Sequence, residues 1–209
     1  MDRPLQSGKL DIDLLKKVLK RYSIVDPRVV IGPKIGEDAA VIDLGKGVER
    51  YWVVTSDPIT FTTDEIGYYG VVVNINDIAT RGATPKYFLA TLLFPGVGSD
   101  QKLIHKIFRQ IHDACRRFKV SFIGGHTEIT PGLDRIILSG HMIGEVKKEN
   151  LVKTSGARAG DLLLIVPQNL PLPLFAPRAR GPMGRRPKRG IFPPFGKGVK
   201  GRVEMKEEL

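Results

Sequence analysis

Residues 65–85, EIGYYGVVVNINDIATRGATP, constrain the chain most, because at helical period they divide into two stripes of different chemistry. Tyr68, Val71, Val72, Ile75, Ile78 and Ala79 form one stripe, spaced to pack against a sheet. Gly67, Gly70, Asn74, Asp77 and Arg81 form the other, at steps of three or four residues. A glycine inside a helix costs roughly 0.5–1 kcal/mol relative to alanine. The second stripe is therefore expected to meet another backbone or a ligand at close range. The amide and carboxylate beyond the glycines could then receive a metal or a phosphate group; a solvated helix edge is the plain alternative. Gly82 suits the helix stop, and Pro85 forbids continuation.

The flanking elements follow from period and punctuation. Residues 10–22 predict an amphipathic helix with Asp early and Lys/Arg late. A Gly/Pro-punctuated loop leads into a short strand, Ala39 to Leu44, and Tyr51 to Ser56 reads as a second, ending at Asp57-Pro58. Lys86 to Phe94 is a strand apolar on both faces, which predicts burial under helices or at a subunit contact. Ser99 is the expected N-cap of a long helix with the stripe Leu103, Ile104, Ile107, Phe108, Ile111, Cys115 and Phe118. His105 and His112 fall off its centre. Val120 to Ile123 is a strand running into Gly124-Gly125-His126-Thr127-Glu128, Ile136 to Val146 is another, and Asp161 begins a further one. Strands and helices alternate imperfectly, so the expected class is α+β, a sheet packed on one face by helices.

Charge has to be located before it is interpreted. The net charge is +11, but residues 166–209 alone carry 10 Lys/Arg against 3 Asp/Glu, while the first 165 carry 23 against 19. From Pro167 to Arg202 there are 8 of the chain's 15 prolines and no acidic residue. Such a stretch makes neither regular helices nor central strands. Three readings compete: a basic arm binding RNA or another polyanion, a proline-rich docking segment, or a frameshift product. The abrupt change inside the apolar run Asp161–Val166 favours the third. No apolar run is long enough for a bilayer and no signal peptide is seen. The single cysteine, Cys115, excludes an internal disulfide, reads as core and suits a reducing cytoplasm.

The usual phosphate loops, GxxxxGK[ST] and GxGxxG, are absent, as are CxxC and HExxH. In their place stand carboxylates at element ends: Glu37-Asp38, Asp57, Asp77, and His126 with Glu128 after a Gly-Gly turn. Any one alone reads as a solvated cap. Together they form a hard-oxygen set suited to Mg2+ held between protein and nucleotide phosphates.

Four segments carry a resemblance. Gly36-Glu37-Asp38-Ala39-Ala40-Val41 resembles the GDDAAV element of the superfamily of aminoimidazole ribonucleotide synthetase (PurM), thiamine-monophosphate kinase, selenophosphate synthetase and the hydrogenase maturation protein HypE. Thr55-Ser56-Asp57 resembles its strand-end TTD. Residues 73–79 with Gly82-Ala83-Thr84-Pro85 resemble VNLSDIAAMGAxP, and Gly124-Gly125-His126-Thr127 stands where the family has GGDT or GGET. The resemblance implies a PurM-like N-terminal domain over residues 1–150, then the start of a second domain over 151–166 that the tail replaces. It also implies a homodimer through the sheets, and ATP with Mg2+ used to phosphorylate or activate a substrate.

Carried over by position, the resemblance makes Asp38, Asp57 and Asp77 metal ligands. Asn74 would help position the nucleotide, and Gly36, Gly124, Gly125 and Thr127 would line the phosphates. Glu37 replaces an Asp, keeping the charge; His126 replaces an acid, which favours a phosphate contact over a metal one. Glu128, two residues on and on the same side of an extended segment, would supply the missing carboxylate. HypE chemistry needs a terminal cysteine where Lys206-Glu207-Glu208-Leu209 stands, and residues 1–30 lack the cysteine of selenophosphate synthesis. The expected substrate is therefore open, with a nucleotide-binding remnant without turnover as the alternative. Nucleic acid is expected only through the tail, and no membrane contact.

Overall fold

The structure is a computed structural model, and it describes residues 7–62 and 64–162. The expected strand from Asp161 and the proline-rich tail lie outside these residues, apart from Asp161 and Leu162, which are not in a strand.

Six strands form one mixed sheet: β1 Val29–Ile31, β2 Ala40–Asp43, β3 Arg50–Ile59, β4 Thr84–Pro95, β5 Ser121–Thr130 and β6 Ile137–Lys147. Their order is β1-β2-β3-β6-β4-β5, antiparallel except where β4 and β5 run side by side in parallel. The helices are α1 Ile12–Leu19, α2 Ile66–Thr80 and α3 Gln101–Phe118. None is long and apolar enough to cross a membrane. The mixed sheet covered by helices is the expected α+β class.

α2 and α3 cover one face of the sheet. Phe88, Ala90, Leu92 and Phe94 of β4 and Leu138 and Met142 of β6 point beneath them and are buried, with Val71, Ile75, Ile78, Ile107 and Ile111 above. Burial alternates along β4 and β6, so the opposite face, which carries Leu89, Thr91, Leu93, Ser139, His141 and Ile143, is only half-buried. Within the chain, the helices bury one face of β4. Phe122 of β5 packs between Phe88 and Phe108, at ring-centre distances of 6.2 and 6.3 Å. After Phe122 a bulge at Ile123 shifts the register, so that Leu89 pairs with Gly124.

The two stripes of α2 are not apolar-in and polar-out. Gly67, Gly70 and Asn74 are buried along with Val71, Ile75 and Ile78. A Cβ on Gly67 would lie 2.7 Å from the Ile107 carbonyl oxygen of α3, and one on Gly70 would run into Leu138 of β6. The glycines admit two neighbouring elements, so the close partner the sequence demanded is backbone and core, not solvent.

Other boundaries moved for local reasons. The α3 N-cap is Asp100, whose carboxylate accepts the Leu103 amide at 2.7 Å; Ser99, the expected cap, is half-buried, its hydroxyl oxygen enclosed and unpartnered among the described residues. β3 continues through Pro58 to Ile59, and α1 is three residues shorter at its distal side than the periodic stretch suggested. β1 was not expected. Gly124 to Glu128 lie within β5 rather than in a turn.

Candidate functional site

Asp38, Asp57 and Asp77 come from three different elements and meet beside β3. Asp38 ends the loop before β2, Asp57 sits near the end of β3, and Asp77 lies in the last turn of α2. Thr55, two residues before Asp57 on the same face of β3, joins them. Its Oγ1 is 2.9 Å from the Asp38 carbonyl oxygen and 2.9 Å from Asp77 Oδ2. The hydroxyl has one proton and serves one acceptor at a time; both contacts are made when Asp77 carries a proton of its own.

Burial pushes the Asp77 carboxyl up, to about 8 from an ordinary 3.8, and the adjoining Asp57 carboxylate adds to this by hydrogen bond and charge. The Thr55 hydroxyl opposes the shift, and the charge of Asp38 reinforces it. Two carboxylates forced together in a half-buried place are stabilised by a shared proton or by a cation. The donor set is all oxygen, as a hard divalent cation prefers. Among the described residues no three acidic, histidine or cysteine side chains are close enough to enclose an ion by themselves. The residues fit Mg2+ as a partial shell, with water or a ligand's oxygens supplying the remainder.

Asn74 is fully buried, and its side chain is committed within the protein. Oδ1 accepts the Asp57 amide hydrogen at 3.2 Å, and Nδ2 donates to the Gly70 carbonyl at 2.8 Å. It holds the backbone of Asp57 in place instead of facing solvent. Gly36 has φ +83° with open space around it. Its turn brings Glu37 and Asp38 to the mouth of a cleft of about 310 Å³, lined also by Pro33, Ser56 and His141.

The second group of expected residues lies elsewhere. β5 is three strands from β3, about 14 Å at ordinary strand spacing. His126 and Glu128 share a side as expected, pairing across from Thr91 and Leu93, with Nε2 to Oε2 at 3.0 Å. Thr130 Oγ1 also donates to Glu128, at 2.6 Å; this bond and the one with His126 hold the Glu128 carboxyl below its usual range. Thr127 takes the opposite side, in register with Leu92. A Cβ on Gly125 would collide with the backbone of Ala90, which accounts for glycine there without any ligand. Within one chain the structure gathers Gly36, Asp38, Asp57, Asp77 and Asn74, and keeps Gly124 to Glu128 apart.

Two features escaped sequence reasoning. In the sequence Thr55 reads only as part of a strand-end segment; its bridging role depends on β3 passing beneath Asp77. Arg81 is fully buried and ion-paired through Nη2 to Glu37 Oε2. Its place on the Asp77 stripe of α2 was legible, but its partner 44 residues away was not. Cys115 is buried, and burial pushes its thiol up to about 12, as befits a core residue and not a nucleophile.

One relative, named for hydrogenase expression and formation in Methanocaldococcus jannaschii, is 30% identical over 76% of this chain and 48% of its own length. A thiamine-monophosphate kinase of Bacillus subtilis is 27% identical over 74% of this chain and 48% of its own. A selenide, water dikinase of Dechloromonas aromatica is 30% identical over 73% of this chain and 44% of its own. The chain thus spans less than half the length of these curated relatives. Among solved structures, AaThiL complexed with AMPPCP and TMP superposes with a TM-score of 0.55 at 22% identity, covering 70% of this chain and 44% of that one. PurLQS from Thermotoga maritima gives 0.58 at 15% identity, covering 72% and 26%. Both likenesses speak to the fold. Residues 36–146 match the family model described as AIR synthase related protein, N-terminal domain, and the chain belongs to that family.

Proposed function

We propose that the protein binds ATP with Mg2+ at Asp38, Asp57 and Asp77 and uses it to phosphorylate or activate a small-molecule or protein substrate. The observation that carries this reading is the contact of Asp77 with Asp57, beside Asp38. Crowded carboxylates are costly to a bare protein and useful to one that takes up a cation. The named activities of the relatives, a kinase and a dikinase, and the AMPPCP with which AaThiL is complexed support it.

In this reading the three aspartates hold the ion, Thr55 fixes the orientation of Asp77, and Asn74 fixes the backbone of Asp57. Bound Mg2+ would neutralise charge on the phosphates and orient them for transfer. The cleft beside Asp38 gives the phosphate chain or the acceptor a way in.

A homodimer belongs to the same proposal. The half-buried face of β4 and β6 is apolar enough to be covered by a second copy, and a twofold pairing lets two chains complete one site. That would give Gly36 and the Gly124–Glu128 segment, with His126 and Thr127, a part in holding phosphates, and Glu128 a part at the metal. A cytoplasmic place suits such an enzyme.

Calorimetric titration with ATP and MgCl2 tests the proposal, followed by a phosphate-transfer assay. Absence of heat on folded protein overturns it. The chain covers under half of its relatives, which favours one second reading: binding without turnover. Heat without transfer would select that reading.

A further inference from the structure

The residues from Lys148 to Gly156 leave β6 and run back over the site elements, tied down at three places. Lys148 pairs with Asp43 at 2.9 Å. The Val152 amide donates to the Arg81 carbonyl at 3.1 Å. Thr154 Oγ1 donates to Glu37 Oε1 at 2.7 Å. The other oxygen of Glu37 takes Arg81 Nη2. One carboxylate therefore joins the loop that carries Asp38, the helix that carries Asp77 and the segment that leaves the domain.

The ion pair is enclosed: the Arg81 side chain is 1% exposed and that of Glu37 11%. Yet Arg81 Nε and Nη1 have no hydrogen-bond partner among the described residues. A buried pair left with spare donors gains little stability over an apolar pair of similar volume. Its effect lies in placement. Glu37 is the neighbour of Asp38, and Arg81 lies one helical turn beyond Asp77, on the same face of α2. Spanning those two residues fixes the separation of the two acids.

We propose that Arg81 and Glu37 are positioning residues that set the spacing of Asp38 and Asp77, and that Thr154 couples the exit segment to that spacing. The inference takes the cation site proposed above as its object. An ion drawing Asp38 toward Asp77 then tightens the hold on residues 152–156, and a pull on that segment loosens the ion.

Two variants of the full chain test this. The double variant Arg81→Met, Glu37→Gln removes both charges together; it is expected to melt at or above the wild-type temperature while binding Mn2+, read from the free-ion paramagnetic resonance signal, at least tenfold more weakly. Unchanged Mn2+ affinity overturns the positioning role. Thr154→Val is expected to speed amide exchange at residues 37 and 38 at least threefold without changing residues 107–115 of α3; no change there overturns the coupling. If wild-type protein takes up no Mn2+, the cation site itself falls, and exchange alone then decides whether the tether exists. Should the double variant fail to fold, Thr154→Val carries the decision.

Discussion

Asn74 grips Asp57 by its backbone: the amide oxygen accepts the Asp57 N–H at 3.2 Å while Nδ2 lies 3.4 Å from the Asp57 carbonyl. β2 stops pairing with β3 at Val54, so Asp57 has no strand partner on that side, and α2 supplies one instead. Replacing Asn74 with Ala leaves the Asp57 backbone amide and carbonyl without their Asn74 partners inside the protein. The expected loss is about 2–3 kcal/mol, measured by urea denaturation.

Stability of the cation-free protein should depend on pH through Asp77. Its carboxyl titrates near 8 in the folded chain and near 3.8 unfolded, so the folded state holds its proton longer. The contribution is complete below about pH 4 and is lost progressively as pH rises through 8. Melting temperature measured in EDTA from pH 5 to pH 9 should fall for wild type. Asp77→Asn should flatten that slope and leave the variant the more stable of the two at pH 9.

Magnesium should reverse the effect. At pH 8 a millimolar concentration is expected to raise the wild-type melting temperature by several degrees, through mass action on the folded state. Asp57→Asn and Asp77→Asn should each abolish the rise. A rise that survives both substitutions would place the ion elsewhere.

The helix glycines should resist alanine despite alanine's better helix propensity. At Gly67 the new Cβ meets the backbone of α3, 2.7 Å from the Ile107 oxygen, and at Gly70 it meets the Leu138 side chain, which can turn. Both substitutions are expected to destabilise by about 1–3 kcal/mol, Gly67→Ala more than Gly70→Ala. Chemical denaturation of the two variants settles the order.

Pairing through the uncovered sheet face should be disrupted by charge placed at its centre. Ile143→Lys lies on that face of β6, opposite Val54 of β3. The wild-type chain is expected to sediment as a dimer and the variant as a monomer, with the emission of Trp52, 39% exposed, shifting to the red.

Period and punctuation revealed much of this molecule and missed specific parts for physical reasons. The α3 stripe was legible because it packs on one side only. The close approach along α2 was legible in Gly67 and Gly70, but not the identity of its neighbours: α2 is wedged between β6 and α3, so its small-residue stripe is as buried as its apolar one. β1 is three residues long, too short to show alternation. Gly124 and Gly125 read as a turn because a Gly-Gly pair usually marks one, whereas here, at positive φ, they let an edge strand lie against Ala90. The three aspartates were found because each sits near the end of an element. The Arg81–Glu37 pair depends on tertiary folding and leaves no mark in local spacing.

Ile123 has a consequence of its own. Strand residues alternate sides, so one extra residue exchanges inside and outside for everything that follows. With it, His126 and Glu128 share a side with Thr91 and Leu93, while Thr127 and Ile129 align with Leu92 and Phe94. Deleting this one amino acid would move His126 and Glu128 to the side of Leu92 and Phe94, and Thr127 and Ile129 to the side of Thr91 and Leu93. A single codon thus acts as a parity bit for the whole distal half of β5.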